Sequence, residues 1–213
     1  MVWEAMGVEK KNRILEAFDK VADYYDEYMK QTGHVRAQRE ISHKLKRKLG
    51  NPSILDVATG TGVMIEGWED AVGVDASEKM IRRAREKGPD KEFHVADVVH
   101  LPFEDGSFDY SMSCLAFLWF TNREKALDEM LRVSRKGAFV VEEEGTPARK
   151  RVDMPGELEP FFERIEEFEV PIDVGKMDEN YERVCEVDID GSHRFVAWYV
   201  KKGKSWISTA KSP

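Results

Sequence analysis

The sequence predicts an α/β fold in which a mostly parallel sheet carries helices on both faces. Strand-like and helix-like patterns alternate through the middle of the chain, and this alternation produces parallel strands. A short apolar run at residues 54–57 breaks into a glycine-containing turn at 58–62, where a backbone can approach a ligand closely. Near the end, strand patterns at 183–189 and 194–201 flank a polar turn and predict an antiparallel hairpin.

The first 50 residues predict helices. Apolar residues recur at helical spacing from Ile14 to Tyr25, which predicts an amphipathic helix over residues 9–30. A second helix is expected over residues 35–49. Pro52 then prevents the helix from continuing, because proline lacks the N–H that a helix interior requires.

The central part of the chain predicts the remaining parallel strands with helices between them. Only eight residues, Val63 to Asp70, separate the glycine turn from the second strand, so the first crossover helix must be short. Gly88 and Pro89 end the next helix. The further strands are predicted at 71–75, 92–96, 108–113 and 138–142, and the further helices at 78–87 and 123–133.

The segment after the fifth strand is interrupted by prolines and has one predicted helix, over residues 157–168. Ligands of open α/β sheets bind outside the carboxyl ends of the strands, so we expect this segment to cover a substrate pocket there. A plain surface insertion is the alternative. The chain is thus expected to form one domain with an N-terminal helical cap (1–50), a cofactor-binding core (51–142), a substrate cap (143–182) and a terminal hairpin (183–201).

The glycine turn and the acid that ends the second strand predict a nucleoside site. Asp75 can accept hydrogen bonds from both hydroxyls of a ribose. A dinucleotide fingerprint needs a third small residue three positions after Gly62, and that position holds Ile65. A ligand with one nucleoside and no pyrophosphate therefore fits better.

Residues 55–62, Leu-Asp-Val-Ala-Thr-Gly-Thr-Gly, resemble the first motif of class I S-adenosylmethionine-dependent methyltransferases. The similarity spans roughly residues 18–142, and the closest subgroup includes ubiquinone and menaquinone biosynthesis methyltransferases. It implies a Rossmann-like, seven-stranded sheet whose last strand is antiparallel. The other similar stretches are 18–26, 74–77 with Met80, 95–98, 101–109 and 129–137, the last resembling the helix and turn before the fifth strand.

The resemblance implies S-adenosyl-L-methionine as the cofactor and assigns its contacts. The implied contacts are Asp56 at the amino group, the backbone of Ala58, Thr59, Gly60 and Gly62 along the methionine and ribose, Asp75 at the ribose hydroxyls, Asp97 and the Val98 amide at the adenine edge, Ala76 and Met80 beside the base, and Cys114 and Leu115 at the methionine. Alternatively, Asp75 and Asp97 cap following helices, Asp56 stabilises the turn, and Met80 is core.

Methyl transfer from a sulfonium needs an aligned nucleophile more than a catalytic group, since alignment alone supplies about 7 to 11 kcal/mol. The catalytic residues are therefore left open. Tyr25 is a candidate catalytic residue, which the aromatic element of the subgroup implies. The alternative is that Tyr25 is simply buried on the apolar face of its helix. His34 is the best histidine for a general base, with a surface role as the alternative. No histidine has a spacing that predicts a zinc site or a triad, so no metal is expected.

Composition and charge indicate which partners and which compartment to expect. The net charge of -8 argues against a general nucleic-acid binder, because such binding depends on clustered Lys and Arg. No apolar run has the length of a signal peptide core or a membrane span, so a soluble, cytoplasmic protein is expected. Cys114 and Cys185 are expected to be buried thiols. Charged residues make up 35% of the chain beside only two glutamines, a composition that resembles thermophile proteins.

The expected function is methyl transfer to an oxygen or carbon of a small molecule, by in-line displacement. One alternative is methylation of protein or RNA, which requires that Arg36, Arg39, Lys46 and Arg47 form one exposed patch beside the pocket. Another is a non-catalytic, cofactor-binding regulatory subunit, which requires a large apolar surface for its partner. The oligomeric state and the acceptor are left open.

Overall fold

A seven-stranded sheet forms the centre of the computed structural model, which describes residues 2–144, 174–189, 191 and 193–204. The strands are β1 (Ile54–Val57), β2 (Ala71–Asp75), β3 (Glu92–Val95), β4 (Phe108–Cys114), β5 (Ser134–Glu144), β6 (Glu182–Ile189) and β7 (His193–Lys201). The helices are α1 (Val2–Val21), α2 (Tyr25–Gln31), α3 (His34–Leu49), α4 (Glu78–Lys87), α5 (Arg123–Val133) and α6 (Val174–Asn180). None of the helices in these ranges combines the length and hydrophobicity needed to cross a membrane.

The strand order is β3-β2-β1-β4-β5-β7-β6. Strands β1 to β5 pair in parallel, and β7 lies antiparallel to both β5 and β6. This topology confirms the predicted Rossmann-like sheet with a reversed last strand. The order changes direction at β1, whose neighbours are β2 and β4, and the carboxyl ends of strands at such a switch point form a crevice.

Each face of the sheet has its own hydrophobic core, because side chains alternate along a strand. Phe139 of β5 packs on the face covered by α3 and α4, together with Ile41 and Ile81. The next residue, Val140, packs on the opposite face with Leu127 of α5. The helices therefore lie on both faces, as the alternation of patterns predicts.

The crossover helices begin and end as their sequences dictate. The Ser77 hydroxyl accepts from the Met80 N–H at the start of α4, and the Asn122 side chain accepts from the Lys125 N–H at the start of α5. Between β1 and β2 the chain makes only a short 3-10 helix, Val63–Ile65, which agrees with the short predicted spacing.

The single helix predicted over residues 9–30 is wrong, because the chain turns between α1 and α2. Tyr24 N–H donates to the Val21 carbonyl at 2.9 Å, which closes a tight turn. Tyr24 is left exposed, whereas Tyr25 packs edge-on against Phe18. The apolar periodicity continues across the turn, so periodicity alone could not detect it.

The turn predicted before the fifth strand is also wrong, since β5 already begins at Ser134 and contains Gly137. A Cβ at Gly137 would lie 2.5 Å from the Val200 carbonyl oxygen and 2.6 Å from the Tyr199 ring. Glycine therefore allows β7 to approach β5 closely, which is a known use of glycine inside a strand.

The predicted substrate cap is described only at its end. Residues 145–173, which include the helix predicted over 157–168, lie outside the described residues. The described helix α6 packs Met177 into the core beside Trp198, and the Trp198 indole N–H donates to Asp178 at 2.7 Å. This part of the chain covers a face of the sheet.

We expect Gly137→Ala to destabilise the protein by about 1–3 kcal/mol, because the new methyl group meets backbone that cannot rotate away. Gly88→Ala is the matched control, since its Cβ would lie 3.3 Å from the flexible Lys91 side chain and 3.6 Å from the Ala84 carbonyl oxygen, which is an ordinary contact distance. The control should stay within about 0.5 kcal/mol of the parent protein in urea unfolding. Equal losses in both variants would contradict the close strand approach.

Candidate functional site

A cavity of about 310 Å³ opens at the carboxyl edge of the sheet, above β1, β2 and β4. Its floor is the turn that follows β1, and its roof is formed by α1 and α2. The residues after β3 and β4 complete its sides. The cavity therefore occupies the crevice at the switch point.

The turn after β1 approaches the cavity with its backbone. Ala58 and Gly60 both have φ of 56°, the left-handed region that glycine adopts freely and alanine rarely does. Thr59 N–H donates to the Val74 carbonyl at 2.9 Å, which ties the turn to β2. A strained non-glycine residue held in this way is typical of a functional turn.

Asp56 lies at the end of this cavity with one carboxylate oxygen unsatisfied. It is 1% exposed, and its Oδ2 accepts from the Thr59 hydroxyl at 2.6 Å. Its Oδ1 has no hydrogen-bond partner among the described residues. Burial, with a smaller contribution from the negative charge of Asp75, raises the pKa of Asp56 to about 7. A buried acceptor of this kind fits a cationic donor such as an ammonium group.

Asp75 ends β2 with both oxygens in contact with backbone amides. Gly60 N–H donates to Oδ2 at 2.8 Å and Ser77 N–H donates to Oδ1 at 2.9 Å. Burial raises the pKa of the Asp75 carboxyl, although these hydrogen bonds act in the opposite direction. Each oxygen can accept a further bond, which suits a pair of ribose hydroxyls. Ser77, not Asp75, caps α4.

Asp97 follows β3 and also lines the cavity. Its Oδ1 accepts from the Val99 N–H at 3.3 Å, and its Oδ2 forms an ion pair with Lys11 of α1. The residues after it form a turn, with His100 N–H donating to the Asp97 carbonyl at 2.9 Å, and no α-helix begins there. The helix-cap alternative therefore does not apply to Asp97.

The end of β4 contributes Cys114 and Leu115 to the cavity. Burial raises the pKa of the Cys114 thiol well above its usual range, and the charges of Asp56 and Glu142 act in the same direction. The Gln38 side chain from α3 acts in the opposite direction and lowers the pKa of the thiol, by less than burial raises it. Cys114 is thus a neutral thiol, which excludes a thiolate nucleophile at this position.

Tyr25 lines the cavity from α2. Burial raises the pKa of its hydroxyl, and the negative charge of Asp75 raises it further. The hydroxyl therefore stays protonated over the physiological range and can donate a hydrogen bond. It cannot act as a general base at neutral pH.

Of the residues predicted to contact the cofactor, all except one line this cavity. The residues brought together are Tyr25, Asp56, Ala58, Thr59, Gly60, Asp75, Ala76, Met80, Asp97, Val98, Cys114 and Leu115. The exception is Gly62, which has φ of 83° and whose Cβ would lie 3.0 Å from the Phe93 ring. Gly62 therefore shapes the turn and its packing, and does not line the cavity.

His34 does not line the cavity either, which argues against the predicted general base. His34 Nδ1 lies 2.6 Å from the Thr32 hydroxyl, which also contacts the Tyr28 and Met29 carbonyls. His34 Nε2 lies 3.3 Å from Glu143, whose other oxygen contacts His193 Nδ1. Burial opposes ionisation of Glu143, but both histidines hold its pKa below the usual range. His34 thus joins α3 to β5 and β7.

The structure adds Lys11, Phe18 and Gln38, which the sequence patterns did not assign to the site. Lys11 lies on the cavity face of α1, and Gln38 reaches the cavity from α3. Phe18 packs edge-on against Trp119 with ring centres 5.8 Å apart, and both line the cavity together with Phe120. Lys11 shares a helical stripe with Ile14, and this spacing was the signal available in the sequence.

The basic residues of α3 lie elsewhere, and none of them lines the cavity. Arg36 pairs with Glu40 and Arg39 pairs with Glu66, both at 2.9 Å. Lys46 donates to the Gly67 carbonyl at 2.7 Å. These contacts partly neutralise the basic surface that methylation of RNA or protein would use.

Comparison with known proteins agrees with this geometry. Residues 55–141 match a family model described as a methyltransferase domain. The ubiquinone/menaquinone biosynthesis C-methyltransferase UbiE of Campylobacter jejuni is 32% identical over 162 residues, which cover 67% of this chain and 68% of that protein. The malonyl-[acyl-carrier protein] O-methyltransferase of Pseudescherichia vulneris is 32% identical over 142 residues, covering 63% of this chain and 54% of that protein.

Solved structures share the fold at lower identity. A SAM-dependent methyltransferase of Thermotoga maritima superposes with a TM-score of 0.56 at 16% sequence identity, covering 87% of this chain and 99% of that one. At this identity the similarity concerns the fold alone.

We expect Glu143→Gln to destabilise the protein by about 1.5–3 kcal/mol near neutral pH, because it removes charge-assisted bonds to two histidines. Since the folded-state pKa lies below the unfolded value, the ionised carboxylate stabilises the fold above about pH 4.3 and loses this effect as the pH falls through its folded pKa. The difference between the two proteins in urea unfolding should therefore shrink below about pH 4.

Glu144→Gln is the control for this pH dependence. Glu144 is the next residue, its side chain is 29% exposed, and it pairs with Arg183 and Arg194. A pair of this exposure should contribute about 1 kcal/mol or less. A loss in Glu144→Gln as large as that in Glu143→Gln would contradict the special role of the buried pair.

Proposed function

Because this chain belongs to the class I S-adenosylmethionine-dependent methyltransferases, within the subgroup of the ubiquinone and menaquinone biosynthesis enzymes, we propose that it methylates an oxygen or carbon of a small organic acceptor. The observation that supports this most is the joining of two surfaces in one cavity. Three carboxylates, Asp56, Asp75 and Asp97, line one part of it, and the rings of Phe18 and Trp119 line another.

The acidic part suits the cofactor. The unsatisfied Oδ1 of Asp56 would accept from the ammonium of the methionine moiety, and Asp75 would accept from the ribose hydroxyls. Asp97 would accept from the adenine amino group, with Ala76 and Met80 beside the base. The left-handed turn at Ala58 and Gly60 leaves backbone free to follow the ligand.

When bound, S-adenosylmethionine supplies an electrophilic methyl group on its sulfonium. The residues of this chain would then align the acceptor for in-line displacement and exclude water from the reacting atoms. Tyr25 offers a hydrogen-bond donor, and Cys114 is a neutral thiol. Neither would take a proton from the acceptor, so we propose alignment as the main source of the rate.

The apolar part suits a flat or apolar acceptor. Leu15 and Phe18 of α1 line the cavity together with Trp119 and Phe120, and the Phe18 ring contacts the Trp119 ring. Aromatic side chains in edge-to-face contact bind flat rings well, because offset and edge geometries are favoured. The two relatives named above methylate carbon in quinone biosynthesis and oxygen in an acyl-carrier substrate, which supports small-molecule acceptors of either kind.

A non-catalytic regulatory role receives less support. Such a subunit needs a large apolar surface for its partner. Among the residues whose exposure the structure describes, the exposed large hydrophobic side chains are Val8 in α1, Tyr24 in the turn after α1, and Val95 in β3.

Calorimetric titration with S-adenosylmethionine, S-adenosylhomocysteine and NAD tests the cofactor part of this proposal. We expect micromolar binding of the first two and none of NAD. A screen of quinol-type and acyl acceptors with labelled methyl groups then tests the acceptor class. Binding of NAD alone would overturn the proposal, and methylation confined to protein or RNA would overturn its acceptor class.

We expect Asp75→Ala to weaken binding of S-adenosylhomocysteine by about 1.5–3 kcal/mol, because charge-assisted bonds to the ribose are lost. Asp105→Ala is the control, since Asp105 is an exposed carboxylate that pairs with Arg132 at 2.9 Å and lies before β4. Titration calorimetry should show unchanged affinity for the control. Unchanged affinity in both variants would remove Asp75 from the site.

Cofactor affinity should also fall as the pH drops below 7. The ligand's ammonium binds the ionised form of Asp56, whose pKa in the free protein is about 7, so binding must displace a proton at lower pH. Between about pH 7.5 and 5.5 we expect a loss of roughly tenfold or more. Asp56→Asn should bind more weakly at neutral pH and show a much flatter pH profile. An equally steep profile in both proteins would assign the proton to another group.

A further inference from the structure

Lys11 is the charged residue on an otherwise apolar stripe of α1. Lys11, Ile14, Leu15 and Phe18 follow the i, i+3, i+4, i+7 spacing of one helix face, and all four line the cavity. The Lys11 side chain is 35% exposed and forms an ion pair with Asp97, whose side chain is 28% exposed. A cation is thus held at the edge of the cavity from the roof side.

Two other polar links of the N-terminal segment reach residues next to the proposed cofactor contacts. Asp19 accepts from the Ser77 hydroxyl, and Asp26 accepts from the Thr61 hydroxyl. Both partners are neighbours of proposed cofactor contacts and are not such contacts themselves. Lys11 differs, because it binds Asp97 directly.

The ion pair leaves hydrogen-bonding capacity on both partners. A carboxylate accepts about four hydrogen bonds, and Asp97 uses one for the Val99 N–H and one for Lys11. The Lys11 ammonium has further N–H donors beyond the one that it gives to Asp97. The pair therefore presents an acceptor and a donor side by side at the cavity, and Lys11 has no need to leave when a ligand arrives.

Adenine presents the complementary pattern. Its N6 amino group is a donor, and the ring nitrogens N1 and N7 on either side are acceptors. We propose that Lys11 contacts the cofactor and recognises its base, donating to the ring nitrogen next to the amino group that Asp97 accepts from. This inference rests on the proposed placement of the adenine at Asp97, and it assigns to α1 a part in base recognition.

The test combines a substitution in the protein with a substitution in the ligand. Calorimetry measures the binding affinity of each combination, without turnover. Lys11→Met keeps the length of the side chain and removes its donors. The ligands are S-adenosylhomocysteine and its 1-deaza and 7-deaza analogues, each of which replaces one acceptor nitrogen with CH. We expect Lys11→Met to weaken binding of the parent ligand by about tenfold, and the unmodified protein to bind one of the analogues about tenfold more weakly.

The decisive comparison is between these two changes. If Lys11 donates to N1 or N7, the variant should bind the parent ligand and the corresponding analogue equally well, since the partner is already lost. A merely structural tie of α1 would weaken all ligands by one common factor and keep the discrimination of the unmodified protein. That result, or tighter binding by the variant, would overturn the proposal.

Two further variants separate the possible failures. Lys20→Met is the matched control, an exposed lysine in the last turn of the same helix, and it should bind all three ligands as the unmodified protein does. Asp97→Ala tests the placement of the base. If it leaves the affinity unchanged while Asp75→Ala lowers it, the adenine lies elsewhere and the placement itself fails. If Asp97→Ala weakens binding and Lys11→Met does not, the adenine placement stands and the contact between Lys11 and the base is excluded.

Discussion

The buried carboxylate of Asp56 is the constraint on which the rest of the site depends. It sits at the end of β1, where the strand order changes direction, and the Thr59 hydroxyl satisfies only one of its oxygens. An unsatisfied buried acceptor is costly, so the fold retains a local instability that a cationic ligand can relieve. In the proposed function, binding of the ammonium group and local stability would thereby be coupled at the Asp56 Oδ1 atom. The strained Ala58, two residues later, adds to the same coupling.

The N-terminal segment turns this open crevice into a cavity. Its helices are held by polar links to the elements that carry the site, through Lys11, Asp19 and Asp26. The break between α1 and α2 directs Tyr25 inward, and the buried Glu143 fixes the start of α3 through His34. These links therefore hold the N-terminal roof against the carboxyl edge of the sheet.

The proposed cofactor side and the proposed acceptor side of the cavity are built from different parts of the chain. The cofactor side is built from strand ends and a turn, whose order along the chain is visible as motifs. The proposed acceptor side combines α1 with the residues after β4, which are about a hundred positions apart in the chain and carry no joint signature. Relatives with similar cofactor motifs act on different acceptors, as the quinone and acyl-carrier enzymes do.

The sequence by itself determined the sheet and the crossover helices, because strand and helix periodicities are local patterns, and nearly all of the cofactor contacts that it predicts line the cavity. Only the tertiary structure decided where α1 ends, that Gly137 lies within β5, and that Gly62 packs on Phe93. Only the tertiary structure showed that Lys11 pairs with Asp97, and that His34 contacts Glu143 and does not line the cavity. These outcomes depend on contacts between residues far apart in the chain, whose energies no local pattern encodes.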